Sequence, residues 1–372
     1  MSKYGDLDYH DDWYDAPLEK YLDHKKTVDG VIDERYDKIY RTIVESPDNA
    51  EWQAWDEFVD WRDGMTLADA RAFKNQLEAA PSINSSRTVE DYLRSVQSFL
   101  KELLEREVVD SNPVAYVCDE TDFNHDDSDK LDRTVKEIGD YLQAIRNVQQ
   151  RAMGVVFAKT GIRKGENINI DLPYLHLDHD IYHQVLDQHG VTLVDEVSDH
   201  KDTLYIPNEP TMGESFRGEK RHLGNKRKRG TRIPIDGETK QALLDWFAVR
   251  PETAYPHPLW ISPKRKPTRI GGKNPNKKLT NYWAEETGLV DDGSTSAFTP
   301  HWFRHFFTTN MQPGRGYHDQ SITPTLVKYI RGDVGTATEG SGKDIMDVYS
   351  HDWGDQVRDE YLNNIYQFGI YD

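Results

Sequence analysis

Two arginines, a histidine and a late tyrosine stand in an order that suits chemistry on a phosphodiester. Arg163 lies in Thr160-Gly161-Ile162-Arg163-Lys164-Gly165-Glu166, and His301 and Arg304 lie in His301-Trp302-Phe303-Arg304-His305. Tyr349 follows His301 by 48 residues, inside Asp347-Val348-Tyr349-Ser350-His351. Holding the non-bridging oxygens of a phosphate calls for planar, permanently charged guanidinium groups that donate in pairs. Arg163 comes after Gly161 and Arg304 after Pro300, each near an expected helix start where backbone N–H groups add to the positive field. Tyrosine acts as a covalent nucleophile once cations stabilise its phenolate. Tyr349 is expected to take that role ahead of Tyr329, Tyr361 and Tyr366. The departing oxygen needs a proton, which an ammonium on a flexible hairpin can supply, and Lys226 is the first choice with Lys228 second. His301, one helical turn before Arg304, shares its face and can donate to the phosphate or shuttle a proton.

A net charge of -19 over 372 residues argues, on average, against a polyanionic partner. The average hides an asymmetry. Between Arg217 and Lys278, seventeen Lys or Arg stand against five acidic residues, the footprint of a polyanion-binding face. The acidic remainder is the kind of surface that keeps a protein soluble in a high-salt cytoplasm, which points to a halophile. A single cysteine, Cys118, excludes an internal disulfide framework and fits a reducing cytosol. With no apolar run approaching ~20 residues and no apolar segment near the N-terminus, a soluble cytoplasmic protein with no membrane contact is expected.

The elements that must position these residues read as mainly α with a small antiparallel β hairpin. Residues 1–28 are acidic and aromatic without a period and read as an arm. Helical faces follow at Ile32, Tyr36, Ile39 and Ile43, at Trp52, Trp55 and Phe58, and at Leu67, Ala70, Phe73 and Leu77. The clearest face is Val89, Leu93, Val96, Leu100, Leu103 and Leu104, with Ser86 and Thr88 as candidate N-caps and an end near Asn112-Pro113. Together these make a helical domain over 29–116. Residues 117–130 form an acidic linker. That linker is not a calcium loop, because Asp127 and Arg133 stand where glycine and a bidentate glutamate are required.

The second domain, 131–372, opens on a helix bearing Leu131, Val135, Ile138, Leu142 and Ile145. Two strand-like runs, 203–206 and 231–235, flank the basic stretch 224–230, which places Arg227, Lys228 and Arg229 at a charged hairpin tip. Further helices are expected over 239–249, 276–288, 300–311, 323–330, 344–349 and 356–368. His176, His179 and His183 have metal-ligand spacing, but intervening aspartates and the lack of a partner cluster argue against zinc, and no metal is expected.

The ordered set resembles the tyrosine recombinases of the phage integrase and Xer type, and their haloarchaeal branch in particular. Residues 160–166 with Ile168 and Asp171 match the first-arginine motif. His301, Arg304 and His305 with Phe307-Thr308-Thr309 match the HxLRHxFAT motif, and Tyr349-Ser350-His351 matches the segment carrying the nucleophile. Lys226, eight residues before Pro234, matches the hairpin lysine, and the helical module is similar to the SAM-like core-binding domain. The resemblance spans about residues 30–370.

The resemblance implies a two-domain clamp on double-stranded DNA. Tyr349 would form a 3′-phosphotyrosine, Arg163 and Arg304 would stabilise the pentacoordinate phosphorus, Lys226 would protonate the 5′-oxygen, and His301 would assist. Lys228, Arg227, Arg229 and His305 would contact DNA. It also implies a homo-tetramer in the synaptic complex, no cofactor, no ATP, and a final helix that commonly docks in trans. One departure stands out: where relatives have Leu-Gly-His about nine residues before the tyrosine, this chain has Arg331-Gly332-Asp333 sixteen before it. An ionised Asp333 cannot donate to a phosphate. Three rival readings remain: a topoisomerase-like relaxer of similar chemistry, a recombinase-derived DNA-binding protein that no longer cuts, and an acidic scaffold with no DNA role.

Overall fold

A computed structural model describes residues 13, 16–27, 65–81, 83, 85–123, 131–253, 257–262, 267–290, 298–311, 323–333 and 353–371. The chain divides into two compact units, Met1–Asp127 and Ser128–Asp372.

The first unit is helical: α1 (Pro17–Thr27), α2 (Leu67–Ala79), α3 (Ser86–Glu105) and α4 (Pro113–Glu120). Helix α2 starts at a capping box, in which the Thr66 hydroxyl accepts from the Asp69 N–H at 3.2 Å and the Asp69 carboxylate accepts from the Thr66 N–H at 2.9 Å. Helix α3 is capped by Ser85 rather than Ser86 or Thr88, its hydroxyl accepting from the Thr88 N–H at 3.2 Å. Phe73, Leu77, Leu93, Val96, Leu100 and Val117 are in the core, each such burial stabilising by roughly 1.5–3 kcal/mol, whereas Leu104, expected on the same face as Leu100, is exposed because it lies one step around the helix from Leu103.

Two expectations are corrected in this unit. Within the supposed arm, α1 buries Tyr21 completely, with its hydroxyl 2.9 Å from Ser98 and its ring edge-on to Phe99. Eleven residues with few apolar positions are too short for the periodicity to show. Asn112-Pro113 starts α4 instead of ending the helices. Proline at the first helical positions gives up an N–H that would be unpaired anyway, and Asn112 caps the Ala115 N–H at 3.2 Å. The helical faces expected at 32–43 and 52–59 lie outside the described residues.

The second unit is built around α6 (Val148–Thr160), which follows α5 (Val135–Ala144) and is buried along its whole second half. After α6 come α7 (Lys164–Ile168), β1 (Leu175–His176), α8 (Asp180–His189), β2 (Thr203–Ile206), β3 (Ser215–Phe216), β4 (Glu219–Lys220), β5 (Thr231–Pro234) and α9 (Gly237–Val249). β6 (Ile261–Ser262), β7 (Thr268–Arg269), a π-helical stretch Pro275–Tyr282, α10 (Pro300–Met311), α11 (Pro324–Arg331) and α12 (Trp353–Asn364) follow among the described residues. Helices α9 and α10 pack on α6, and Phe157 stacks on Phe303 at 5.9 Å. Strands β1, β2 and β5 form an antiparallel sheet in that order, Leu204 pairing with both Leu175 and Ile233. Fold class is therefore as the sequence implied, mostly helical with small antiparallel sheets.

The C-terminal segment packs on its own unit. Val357, Tyr361, Ile365 and Tyr366 are buried. Lys159, with no exposed side-chain surface, bonds Asp236 at 2.8 Å, Glu238 at 2.7 Å and the Tyr366 carbonyl. Glu238 also accepts the N–H groups of Phe368, Gly369 and Ile370 at 2.8, 2.7 and 3.2 Å. Among the described residues no helix is long and apolar enough to cross a membrane.

Candidate active site

Helix α6 ends at Gly161, whose φ of 60° is left-handed and whose Cβ, if it had one, would lie 2.6 Å from the Phe307 ring. Only glycine permits both the turn and this approach of α10. The chain then reverses into α7, so Arg163 at the start of α7 and Arg304 in α10 face a common point.

Each guanidinium is anchored through Nη1 and meets Asp333 through Nη2. Nη1 of Arg304 donates to the carbonyls of Gly161 and Arg331, both at 2.8 Å. Nη1 of Arg163 donates to Glu166 at 3.0 Å and to the Lys226 carbonyl at 3.1 Å. The Nη2 groups of both arginines converge on a single oxygen, Oδ1 of Asp333, at 2.9 Å for Arg163 and in close contact for Arg304. Oδ2 of Asp333 pairs with Nη2 of Arg331 at 3.0 Å.

Arg304 is 2% exposed. Burial, then the like charges of Arg163 and Arg331, bring its pKa down to about 10 against the pull of Asp333 and Glu166, which leaves it a cation at neutral pH. Burial likewise lowers Arg331, which donates to the Thr308 hydroxyl at 2.7 Å.

The sequence placed Arg227 on a DNA-facing turn, but its guanidinium is fully buried. It donates to Glu166 at 3.3 Å, to the Ile330 carbonyl at 3.0 Å and to the Thr231 hydroxyl, and burial lowers its pKa. Gly332, with φ 68°, leaves the room this guanidinium fills, since a Cβ there would sit 2.6 Å from its central carbon. Lys226, Lys228 and Arg229 on the same segment are exposed. Asn225 anchors them through the carbonyls of Pro207 at 3.1 Å and Glu209 at 2.7 Å. The segment is longer than a simple hairpin tip, because β3 and β4 lie between β2 and Asn225.

His301 and His305 are exposed on α10 with their rings edge to face at 4.8 Å. Partial withdrawal from water, followed by the nearby charges of His305, Arg304, Arg331 and Arg163, lowers the pKa of His301. Tyr349 and the helix expected over 344–349 lie outside the described residues. Two of its rivals are committed elsewhere: the buried Tyr361 and Tyr366 hydroxyls donate to the carbonyls of Lys159, at 2.8 Å, and Ala158. Burial raises both phenols far above their ordinary pKa, which is unfavourable for a nucleophile. The Tyr329 hydroxyl accepts from the Arg232 N–H at 3.2 Å.

Two of the three spaced histidines are bonded to the backbone, and the His183 ring packs edge-on against His176 at 6.0 Å. Nδ1 of His176 lies 2.8 Å from the Val197 carbonyl, and His179 caps α8 by accepting from the Ile181 N–H at 3.2 Å. Among the described residues no group of three or more His, Cys, Asp or Glu could hold a metal ion. Sequence reasoning missed Glu166, Arg331 and Asp333 as members of the arginine cluster. The available signal was the Arg331-Gly332-Asp333 departure itself.

No family model and no curated protein matches the sequence. Solved structures do match in shape. The Tn1549 transposon integrase in complex with transposon right end DNA aligns with a TM-score of 0.55 at 15% identity, covering 86% of this chain and 90% of that one. The same integrase in complex with a circular intermediate DNA aligns with a TM-score of 0.54 at 14% identity, covering 94% of each chain. At this identity the likeness is one of architecture: the chain has the fold of a tyrosine recombinase of the integrase kind.

Proposed function

We propose that this chain is a site-specific DNA recombinase that cuts and rejoins duplex DNA through Tyr349. The observation that carries the reading is the convergence of the Arg163 and Arg304 Nη2 groups on one oxygen position, with their Nη1 groups anchored by backbone carbonyls. This is the preorganised donor pair that a phosphate gathering charge needs. The shared architecture with an integrase solved on DNA adds support.

In the reaction, the Tyr349 oxygen attacks phosphorus as its proton passes to the neutral imidazole of His301 and on to water. Arg163 and Arg304 hold the non-bridging oxygens, and the 5′-oxygen departs with a proton from Lys226. The products are a 3′-phosphotyrosine and a 5′-hydroxyl. A 5′-hydroxyl from a partner strand then attacks the phosphotyrosine and restores the phenol, so the bond energy is conserved and ATP is not consumed. The helical unit of α1–α4 acts as the core-binding domain and the unit of α5–α12 as the catalytic domain; a linker cannot start at residue 117 as the sequence suggested, because Val117 and Cys118 of α4 are buried in the first core. Lys228, Arg229 and His305 contact the duplex, and four copies act together. Arg227 is reassigned from DNA contact to internal support of Glu166.

The test is covalent adduct formation. The wild-type chain, incubated with a library of duplex fragments and quenched in denaturant, yields a protein–DNA adduct that Tyr349→Phe does not. A second reading, a DNA-binding protein that no longer cuts, draws on the carboxylate of Asp333 between the arginines. Equal absence of adduct from both proteins would select it.

A further inference from the structure

Asp333 bonds three guanidinium groups and has no part in the chemistry just described. We propose that its carboxylate is an internal anion seated where the phosphate belongs, so that a phosphodiester enters only by displacing it. The inference rests on the recombinase reading and adds to it a gate against free phosphate.

Its Oδ1 takes the two Nη2 donors that face the proposed phosphate, and its Oδ2 takes Arg331. A carboxylate and two phosphate oxygens present the same charge and the same acceptor geometry to an arginine fork. Two anions at such a distance repel, so the seat holds one or the other.

The arginines do not depend on Asp333 for their orientation. Gly161 and Arg331 carbonyls fix Arg304, and Glu166 with the Lys226 carbonyl fixes Arg163. Emptying the seat therefore leaves the frame standing. The backbone of Asp333 is held: its N–H donates to the Lys328 carbonyl at 2.9 Å behind the left-handed Gly332. Its side chain is 27% exposed, so displacement means exchanging the three guanidinium contacts for water by rotation about its side-chain bonds. The consequence is selectivity: free phosphate brings no other contacts to offset the displacement, whereas a duplex gripped elsewhere along its backbone does.

The probe is inorganic phosphate, titrated by calorimetry into the full chain. Asp333→Asn should bind it at least about tenfold more tightly than wild type, since a competing charge is gone. Asp333→Ala should do the same, which guards against a folding defect in either variant, and the gain should vanish in Asp333→Asn/Arg304→Ala. Unchanged or weaker phosphate binding in both single variants, or a gain that survives loss of Arg304, overturns the proposal. The adduct assay separates it from the parent reading. Wild-type adduct without a phosphate gain in the variants defeats the gate alone. A phosphate gain without adduct from any variant defeats the recombinase reading and leaves an internally occupied anion seat.

Discussion

Replacing Lys159 by Met tests what holds the C-terminal segment in place. The side chain has no exposed surface and pairs with Asp236 at 2.8 Å and Glu238 at 2.7 Å. Methionine keeps the volume, so no cavity confuses the result. Stranding one partner of a buried pair typically costs about 3–5 kcal/mol. Here the carboxylates retain other donors: Asp236 keeps the Thr239 N–H at 3.1 Å, and Glu238 keeps three tail N–H groups. The lower end, about 3 kcal/mol, is therefore expected. For a unit of this size it corresponds to a fall in Tm of about 6–12 °C, read by scanning calorimetry at pH 7.5.

A fall in Tm below about 2 °C would refute the account of the cluster as a buried ionic anchor.

Two further outcomes concern single groups. Burial raises the Cys118 thiol to about 11, so a disulfide reagent at pH 8 should leave the native protein unlabelled and react fully only after denaturation; rapid native labelling would contradict the packing of α4. His301 should titrate by NMR below its ordinary 6.5, and His305→Ala should move it back upward. It is neutral in both states above 6.5, so it contributes nothing to stability there. As pH drops below 6.5 the unfolded chain is protonated first, and folding stability is lost over that window.

The helical framework around the site was legible because its signals are local. Residues 300–311 carry their apolar face at helical spacing, and Gly161 marks a helix end with a mechanism behind it. What escaped the sequence was pairing across distance. Arg227 and Lys228 look alike in a basic run, yet one is buried against Glu166 and the other exposed, because the alternation depends on which side of the segment faces α11. Asp333 was excluded as a donor on sound grounds, but its function as an acceptor depends on three arginines from α7, α10 and α11 meeting at one point. No single-chain pattern encodes that meeting. Tyr361 and Tyr366 could be set aside only after their hydroxyls were found bonded to the carbonyls of α6.

The same sorting of charge changes what the basic segment can do. Arg221 is buried with Asp171 at 2.7 Å, Arg269 bridges Asp171 and Glu219, and Arg250 is mostly buried beside the Pro258 carbonyl at 2.7 Å. These cations stabilise the unit and are not available to a duplex. Exposed ones include Lys226, Lys228, Arg229, Lys273, Lys277 and Lys278. If such exposed cations form the DNA face, a triple Lys228→Ala/Lys277→Ala/Lys278→Ala change should flatten the plot of log affinity against log salt by up to about 2.7, since each phosphate contact contributes about 0.9. Arg269→Ala should lower Tm and leave that slope alone, because an internal ion pair releases no counterion on binding. An equal change of slope from both variants would mean that the interior and the surface of this segment have been assigned wrongly.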